Sequence, residues 1–361
     1  MRHSRRETKC RFLFAIFFLL PVLICAQTIN PAPGIAITPK GDVLVPAMSV
    51  PPSSLLSVEA KAYVAQHLKD MQDPSATYQE KGIPRFMRPY LERMKTIYPV
   101  RIDDGQMGGV HVSIYTPEQG ISSANQSRVL INLHGGGFAG CWPGCSLLES
   151  IPIAAMGSIR VVSIDYRQAP EYKFPAASED VARVYAELLR KYDAKSIGIY
   201  GCSAGGMLTG MSLAWFQAHQ LPMPGAAGIF CAGIGDFSAG DATYTAMPLG
   251  EARMPAPEGK AAPSLGYLAG TSKSDPLVFQ ASHAEVLAAF PPTLILTGTR
   301  DFAMSSAMHS HLQLLKAGAD SRLVVWDGLF HGFFYNPDVP ESKDAYTMIL
   351  KFFDAHLKDG K

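Results

Sequence analysis

The segment Gly201-Cys202-Ser203-Ala204-Gly205-Gly206 sets a serine between glycines two positions to either side. It follows an apolar run at 196–200 and precedes a stretch of helical pattern from Ala204. The spacing is G-x-S-x-G. Where a strand turns abruptly into a helix, small residues at those positions let the turn close and the serine oxygen projects from the sheet edge. The amide of Ala204, at the helix start, then points at the same spot. A second segment, His134-Gly135-Gly136-Gly137-Phe138, follows the apolar run 128–133. Three glycines in a row are costly to order and serve poorly as core. They suit a backbone that must approach a ligand closely and present N–H groups to a negative oxygen.

A serine hydroxyl is a weak nucleophile. It needs a base, and the base needs a group that orients it. With a serine elbow of this kind the partners follow in the order Ser, then Asp or Glu, then His, each on a loop after a strand. The run 293–297 leads into Gly298-Thr299-Arg300-Asp301, and the run 323–326 into Asp327-Gly328-Leu329-Phe330-His331. Ser203, Asp301 and His331 are therefore the candidate nucleophile, acid and base, with Gly136, Gly137 and Ala204 offering the oxyanion amides. Asp327 and Asp275 are rivals to Asp301. His309 and His311 are rivals to His331, but they fall inside a predicted helix. Such a set is suited to nucleophilic attack by the serine.

The elements that must position these groups follow from hydrophobic period. Residues 110–115 alternate as a strand, and 128–133, 160–164, 196–200, 226–231, 293–297 and 323–326 are short Val/Ile/Leu-rich runs suited to strands buried on both faces. Helical patterns cover 179–192, 204–219, 303–317 and 342–357. The alternation implies an α/β fold with a mostly parallel sheet flanked by helices. The first two strands, joined by few residues, are expected to pair antiparallel. Residues 54–72 read as an amphipathic helix capped by Ser53 or Ser54, and 84–97 as a shorter one. Residues 237–275 are rich in Gly, Ala, Pro and Met without period, as expected of an insertion above the carboxyl ends of the strands. In Asp165-Tyr166-Arg167-Gln168-Ala169-Pro170-Glu171, the charged residues Asp165, Arg167 and Glu171 are expected to tie loops together.

Arg2, Arg5, Arg6, Lys9 and Arg11 precede an apolar run, Phe12 to Ile24. This is the pattern of a signal peptide over 1–26 and of an exported (periplasmic or secreted) protein, with an uncleaved anchor as the alternative. Any contact with a membrane would run through that segment alone. Residues 27–52 read as a linker and 53–361 as the single α/β domain. A net charge of +1 gives no reason to expect nucleic acid. Of six cysteines, Cys141 and Cys145 either pair locally in an oxidising compartment or stay as two partly buried thiols. No second close pair of cysteines, or of histidines at ligand spacing, accompanies them, so no metal site is expected.

Together these motifs resemble the hormone-sensitive lipase family of esterases, a branch of the α/β-hydrolases. The matching pieces are HGGGF at 134–138, DYRQAPE with FPAA at 165–177, GCSAGG at 201–206, GTRD at 298–301 and HGF at 331–333. The resemblance implies a cofactor-free carboxylic-ester hydrolase acting on a small-molecule ester of short to medium acyl chain, or on a lactone. It also implies a helical cap built from about 53–100 and 237–275. Two departures stand out. Cys202 occupies a position where relatives usually carry Asp or Glu, and Phe302 follows Asp301 where relatives usually continue with Pro. A non-catalytic ligand-binding protein on the same fold is the rival reading; such proteins typically lose a triad member, and this chain keeps all three candidates.

Overall fold

The computed structural model describes residues 34–254 and 266–359. The expected signal segment, 1–26, lies outside the described residues. The chain divides into two units, Met1–Val50 and Pro51–Lys361. In the described part of the first, Ala36–Ile37 pairs antiparallel with Val43–Leu44. Everything below concerns the second.

Its centre is an eight-stranded sheet: β1 (Val100–Met107), β2 (Val110–Pro117), β3 (Val129–Leu133), β4 (Arg160–Ile164), β5 (Ile197–Cys202), β6 (Ala226–Phe230), β7 (Thr293–Arg300) and β8 (Ser321–Phe330), in the spatial order 8-7-6-5-3-4-2-1. Strands β3 to β8 run parallel, and only β2 and β1 are antiparallel to their neighbours. The helices are α1 (Val58–Gln72), α2 (Arg88–Ile97), α3 (Gly144–Gly157), α4 (Ala176–Leu189), α5 (Ala204–Ala218), the short α6 (Ala242–Thr245), α7 (Met247–Glu251) and α8 (Ala284–Leu287), then α9 (Met304–Lys316) and α10 (Pro340–His356). Successive residues of β3 point to opposite faces, so Val129 and Ile131 pack with α4 and α5 while Leu130 packs with α3 and α10. No helix among the described residues is long and apolar enough to cross a membrane.

Four expectations change. The first two expected strands do not pair: β2 lies between β1 and β4, while β3 inserts between β4 and β5. The chain after β2 crosses past the place that β4 later fills, and local proximity in sequence does not reveal that crossing. Strand β1, whose sequence VRIDDGQM is charged, escapes an apolar search because it is the sheet's exposed edge. Helix α3 escapes because Pro152 interrupts its pattern. Finally, α1 is capped by Ser57, whose Oγ accepts from the Ala60 amide at 3.0 Å, while Ser53 bonds Asp327 instead. Ser57 also donates from its Oγ and its amide to Glu341 in the first turn of α10, both at 2.8 Å, so one serine joins two helix starts.

Replacing this cap tests whether the leader helix is part of the folded unit. Ser57→Ala is expected to cost about 1 kcal/mol in urea unfolding, without a change in the steepness of the transition.

Candidate active site

The four loops of interest each begin one residue beyond a parallel strand: His134 after β3, Ser203 after β5, Asp301 after β7 and His331 after β8. Parallel strands deliver their carboxyl ends to one edge, which brings four sequence-distant segments to one place.

At the elbow, β5 ends at Cys202 and α5 starts at Ala204, leaving Ser203 at φ 58° and ψ −122°. A non-glycine residue there is strained and must be held by its surroundings. Its amide donates to the Phe230 carbonyl at 2.8 Å, and its carbonyl accepts from Met207 at 3.0 Å. The flanking glycines are required by space. A Cβ on Gly201 would lie 2.2 Å from the Leu133 oxygen, and one on Gly205 would lie 1.7 Å from the same atom.

The triple-glycine loop passes close beside it. Gly136, Gly137 and Phe138 all have positive φ, at 114°, 65° and 57°. A Cβ on Gly136 would fall 2.3 Å from the Gly140 carbonyl oxygen. The amides of Gly136, Gly137 and Ala204 donate to no backbone acceptor of the described residues. Gly135 differs: its amide donates to Glu149 at 2.9 Å. His134 stacks on Tyr166 with ring centroids 4.4 Å apart, and Tyr166 donates its hydroxyl to the His134 carbonyl at 2.6 Å. Burial pushes the His134 imidazole down to about pKa 4, which keeps it neutral. Just beyond, Cys141 and Cys145 form a disulfide at the start of α3, so of the two readings of that pair the bonded one holds.

Asp301 is fully buried and accepts at both oxygens. His331 Nδ1 meets Oδ1 at 2.8 Å, where the Ala303 amide also donates at 2.9 Å; Thr297 Oγ1 donates to Oδ2 at 2.9 Å. Burial alone would raise the Asp301 carboxyl; the facing His331 and these donors outweigh it and hold it below its ordinary value. Burial alone would lower His331. The charge and hydrogen bond of Asp301 outweigh that and push it up to about 9. Phe302 lies face-on to the imidazole at 4.4 Å and Phe237 edge-on at 6.0 Å. The ring of Phe302 covers one side of the imidazole.

The elbow and the histidine loop meet at the end of β6. Ser203 holds the carbonyl of Phe230, while the Gly332 amide donates to the Cys231 sulfur at 3.2 Å. Two adjacent residues thus anchor the candidate nucleophile and the candidate base. The rivals lie elsewhere. Asp327 bonds Ser53 and Thr299, Asp275 accepts from the Leu277 amide in a turn, His311 bonds Ser321, and His309 is exposed on α9. Arg167 pairs with Asp180 at 2.9 Å and Glu179 at 2.7 Å, and Asp165 meets His111 at 3.2 Å. Glu171 is exposed and outside this network, contrary to expectation, because the loop turns it to solvent. Cys231, Asp301 and His331 have ligand atoms within 4.8 Å of one another. Hydrogen bonds already engage all three, so this grouping is the candidate His331–Asp301 relay with the Cys231 sulfur beside it.

A family model described as alpha/beta hydrolase fold matches residues 130–335. The chain belongs to this alpha/beta-hydrolase family. The motif resemblance to the hormone-sensitive lipase family agrees with it. An acetyl-hydrolase of Streptomyces hygroscopicus is 29% identical over 235 residues, 64% of this chain and 77% of the relative. Among solved structures, the esterase E25 superposes with a TM-score of 0.73 at 24% identity, covering 87% of this chain and 99% of its own. An esterase from the bacterial hormone-sensitive lipase family gives 0.68 at 23% identity, covering 82% and 99%. At these identities the two structures speak for the alpha/beta-hydrolase fold.

Sequence reasoning missed Glu149, Cys231 and Phe237. Glu149 left one signal, a lone carboxylate in the otherwise uncharged run of α3; the other two left none.

The close approach at Leu133 yields a direct test. Gly205→Ala is expected to cost about 3 kcal/mol or more in urea unfolding, since the added carbon overlaps a backbone oxygen that has no room to move.

Proposed function

We propose that this alpha/beta hydrolase cleaves carboxylic esters of short to medium acyl chain, or lactones, through an acyl-enzyme on Ser203. The observation that carries the reading is the 2.8 Å bond from His331 Nδ1 to the buried Asp301, at the same edge of the sheet as a serine held in a strained elbow. With Nδ1 committed to Asp301, Nε2 is the free base. It takes the Ser203 proton as the oxygen attacks the ester carbonyl. The negative oxygen rests on the amides of Gly136, Gly137 and Ala204. His331 gives the proton to the leaving alcohol, then activates water, which releases the acid and restores the serine. Asp301 keeps the imidazole in the correct tautomer and stabilises it when charged.

The acyl preference draws on Phe237 and Phe302, which bound the space around His331 with apolar surface, and on the acetyl-hydrolase relative. The helical cap is built from the leader and the insertion. Tyr63 of α1 packs on Phe330 at 5.0 Å, and a Cβ on Gly250 of α7 would lie 2.0 Å from the Arg300 oxygen. These two residues end β8 and β7, immediately before His331 and Asp301. The protein is exported, a reading supported by the basic-then-apolar start of the chain and by the Cys141–Cys145 disulfide, which suits an oxidising compartment.

A series of p-nitrophenyl esters from acetate to octanoate, run beside small lactones, tests the substrate range. A fluorophosphonate is expected to label Ser203, and Ser203→Ala to abolish labelling and lower turnover by several orders of magnitude. Ordinary turnover by that variant would exclude the mechanism. A wild-type chain that neither labels nor turns over would be the non-catalytic binder instead.

The pH profile follows from His331, which must be neutral to act as base. Its raised pKa predicts that kcat/KM climbs from neutral pH and levels off above about 9. In Asp301→Asn the limb moves to lower pH, because the charge that raised the imidazole is gone, and turnover falls about 10⁴-fold.

A further inference from the structure

Glu149 takes no part in the relay, yet its carboxylate reaches the loops on both sides of it. Oε1 accepts from the Gly135 amide at 2.9 Å and from the Tyr335 hydroxyl at 2.9 Å. Oε2 accepts from Asn132 Nδ2 at 2.9 Å and from the Cys202 amide at 3.3 Å. Gly135 immediately precedes the candidate oxyanion amides, and Cys202 immediately precedes Ser203. The side chain is buried, and among the described residues no Lys, Arg or His pairs with it. A carboxylate buried without a cation costs stability, and burial pushes Glu149 up to about pKa 7 against the pull of its four donors. Only the ionised form accepts from all four at once. The adjoining cavity, about 10 Å³ and lined also by Tyr200, Phe230 and Tyr346, is too small to receive the carboxylate in another rotamer. Packing therefore keeps the group against both loops.

We propose that Glu149 is a positioning residue whose carboxylate clamps the triple-glycine loop to the serine elbow, so that the amides of Gly136, Gly137 and Ala204 face one point. The inference rests on the reading of those amides and Ser203 as the catalytic centre. The clamp acts through one oxygen on each loop. A glutamine keeps the shape but turns one oxygen into an NH₂ that opposes a backbone N–H, so it holds either Gly135 or Cys202 but not both. The loss belongs to the transition state, because the oxyanion forms only then.

The test compares Glu149→Gln with the wild type on p-nitrophenyl butyrate, with turnover counted per serine titrated by fluorophosphonate, so that unfolded protein does not enter. Turnover is expected to fall about 10- to 100-fold, with KM within about 3-fold, and the affinity for a trifluoromethyl ketone that forms a tetrahedral adduct is expected to fall by the same factor as turnover. A turnover per titrated site within about 3-fold of wild type would overturn the proposal. So would equal losses in substrate and ketone affinity, which would mean a general loosening of the pocket. If the glutamine variant does not accumulate in soluble form, Glu149→Asp carries the same test: it keeps the charge but is one methylene too short to reach both loops. Failure of the underlying assignment would show separately, as a wild-type chain that the fluorophosphonate does not label.

Discussion

The carbonyl oxygen of Leu133 lies where a side chain on either Gly201 or Gly205 would have to go. This close backbone approach between the end of β3 and the elbow after β5 is the constraint on which the site depends. Leu133 pairs directly with Gly201 across the sheet, so the triple-glycine loop leaves the sheet beside the serine. Any bulk at the contact would separate the donors from the atom they face. Ser203 pays with a positive φ, and the bonds to Phe230 and Met207 hold it there.

The second layer of the design is electrostatic. Asp301 carries its charge in a fully buried place because every donor near it is committed to it: the imidazole, the Ala303 amide and the Thr297 hydroxyl. The same charge raises His331, and the flanking Phe302 shields one ring face. Glu149 answers the same problem differently. It has no cation and is held by neutral donors from β3, the two loops and Tyr335, which leaves it near neutrality and sensitive to their geometry.

The parts outside the sheet press on the same edge. His67 of α1 stacks on Phe330, one residue before His331, with centroids 3.6 Å apart, and burial lowers the His67 imidazole to about pKa 3. Glu251 at the end of α7 is also buried, and burial raises it while the facing His331 pulls it down. The leader and the insertion are thus packed against the ends of the strands that lead into the candidate base and acid.

Much of this was legible in residue order. The G-x-S-x-G spacing, the three glycines at 135–137 and the Ser–Asp–His order identify segments whose local chemistry is self-contained, and seven of the eight strands announce themselves as apolar runs or alternation. Edge strand β1 and helix α3 did not, because one is charged and solvent-facing and the other is broken by proline. The Ser57 cap, the separation of β2 from β3, and the choice of Asp301 over Asp327 belong to tertiary structure. So do Glu149, Cys231 and Phe237. Each acquires its role only from what the fold sets beside it, and no short-range pattern encodes a contact between residues 149 and 202, or between 231 and 332. By itself the sequence determined which groups could carry chemistry; the parallel sheet, by delivering distant strand ends to one edge, decided which of them meet.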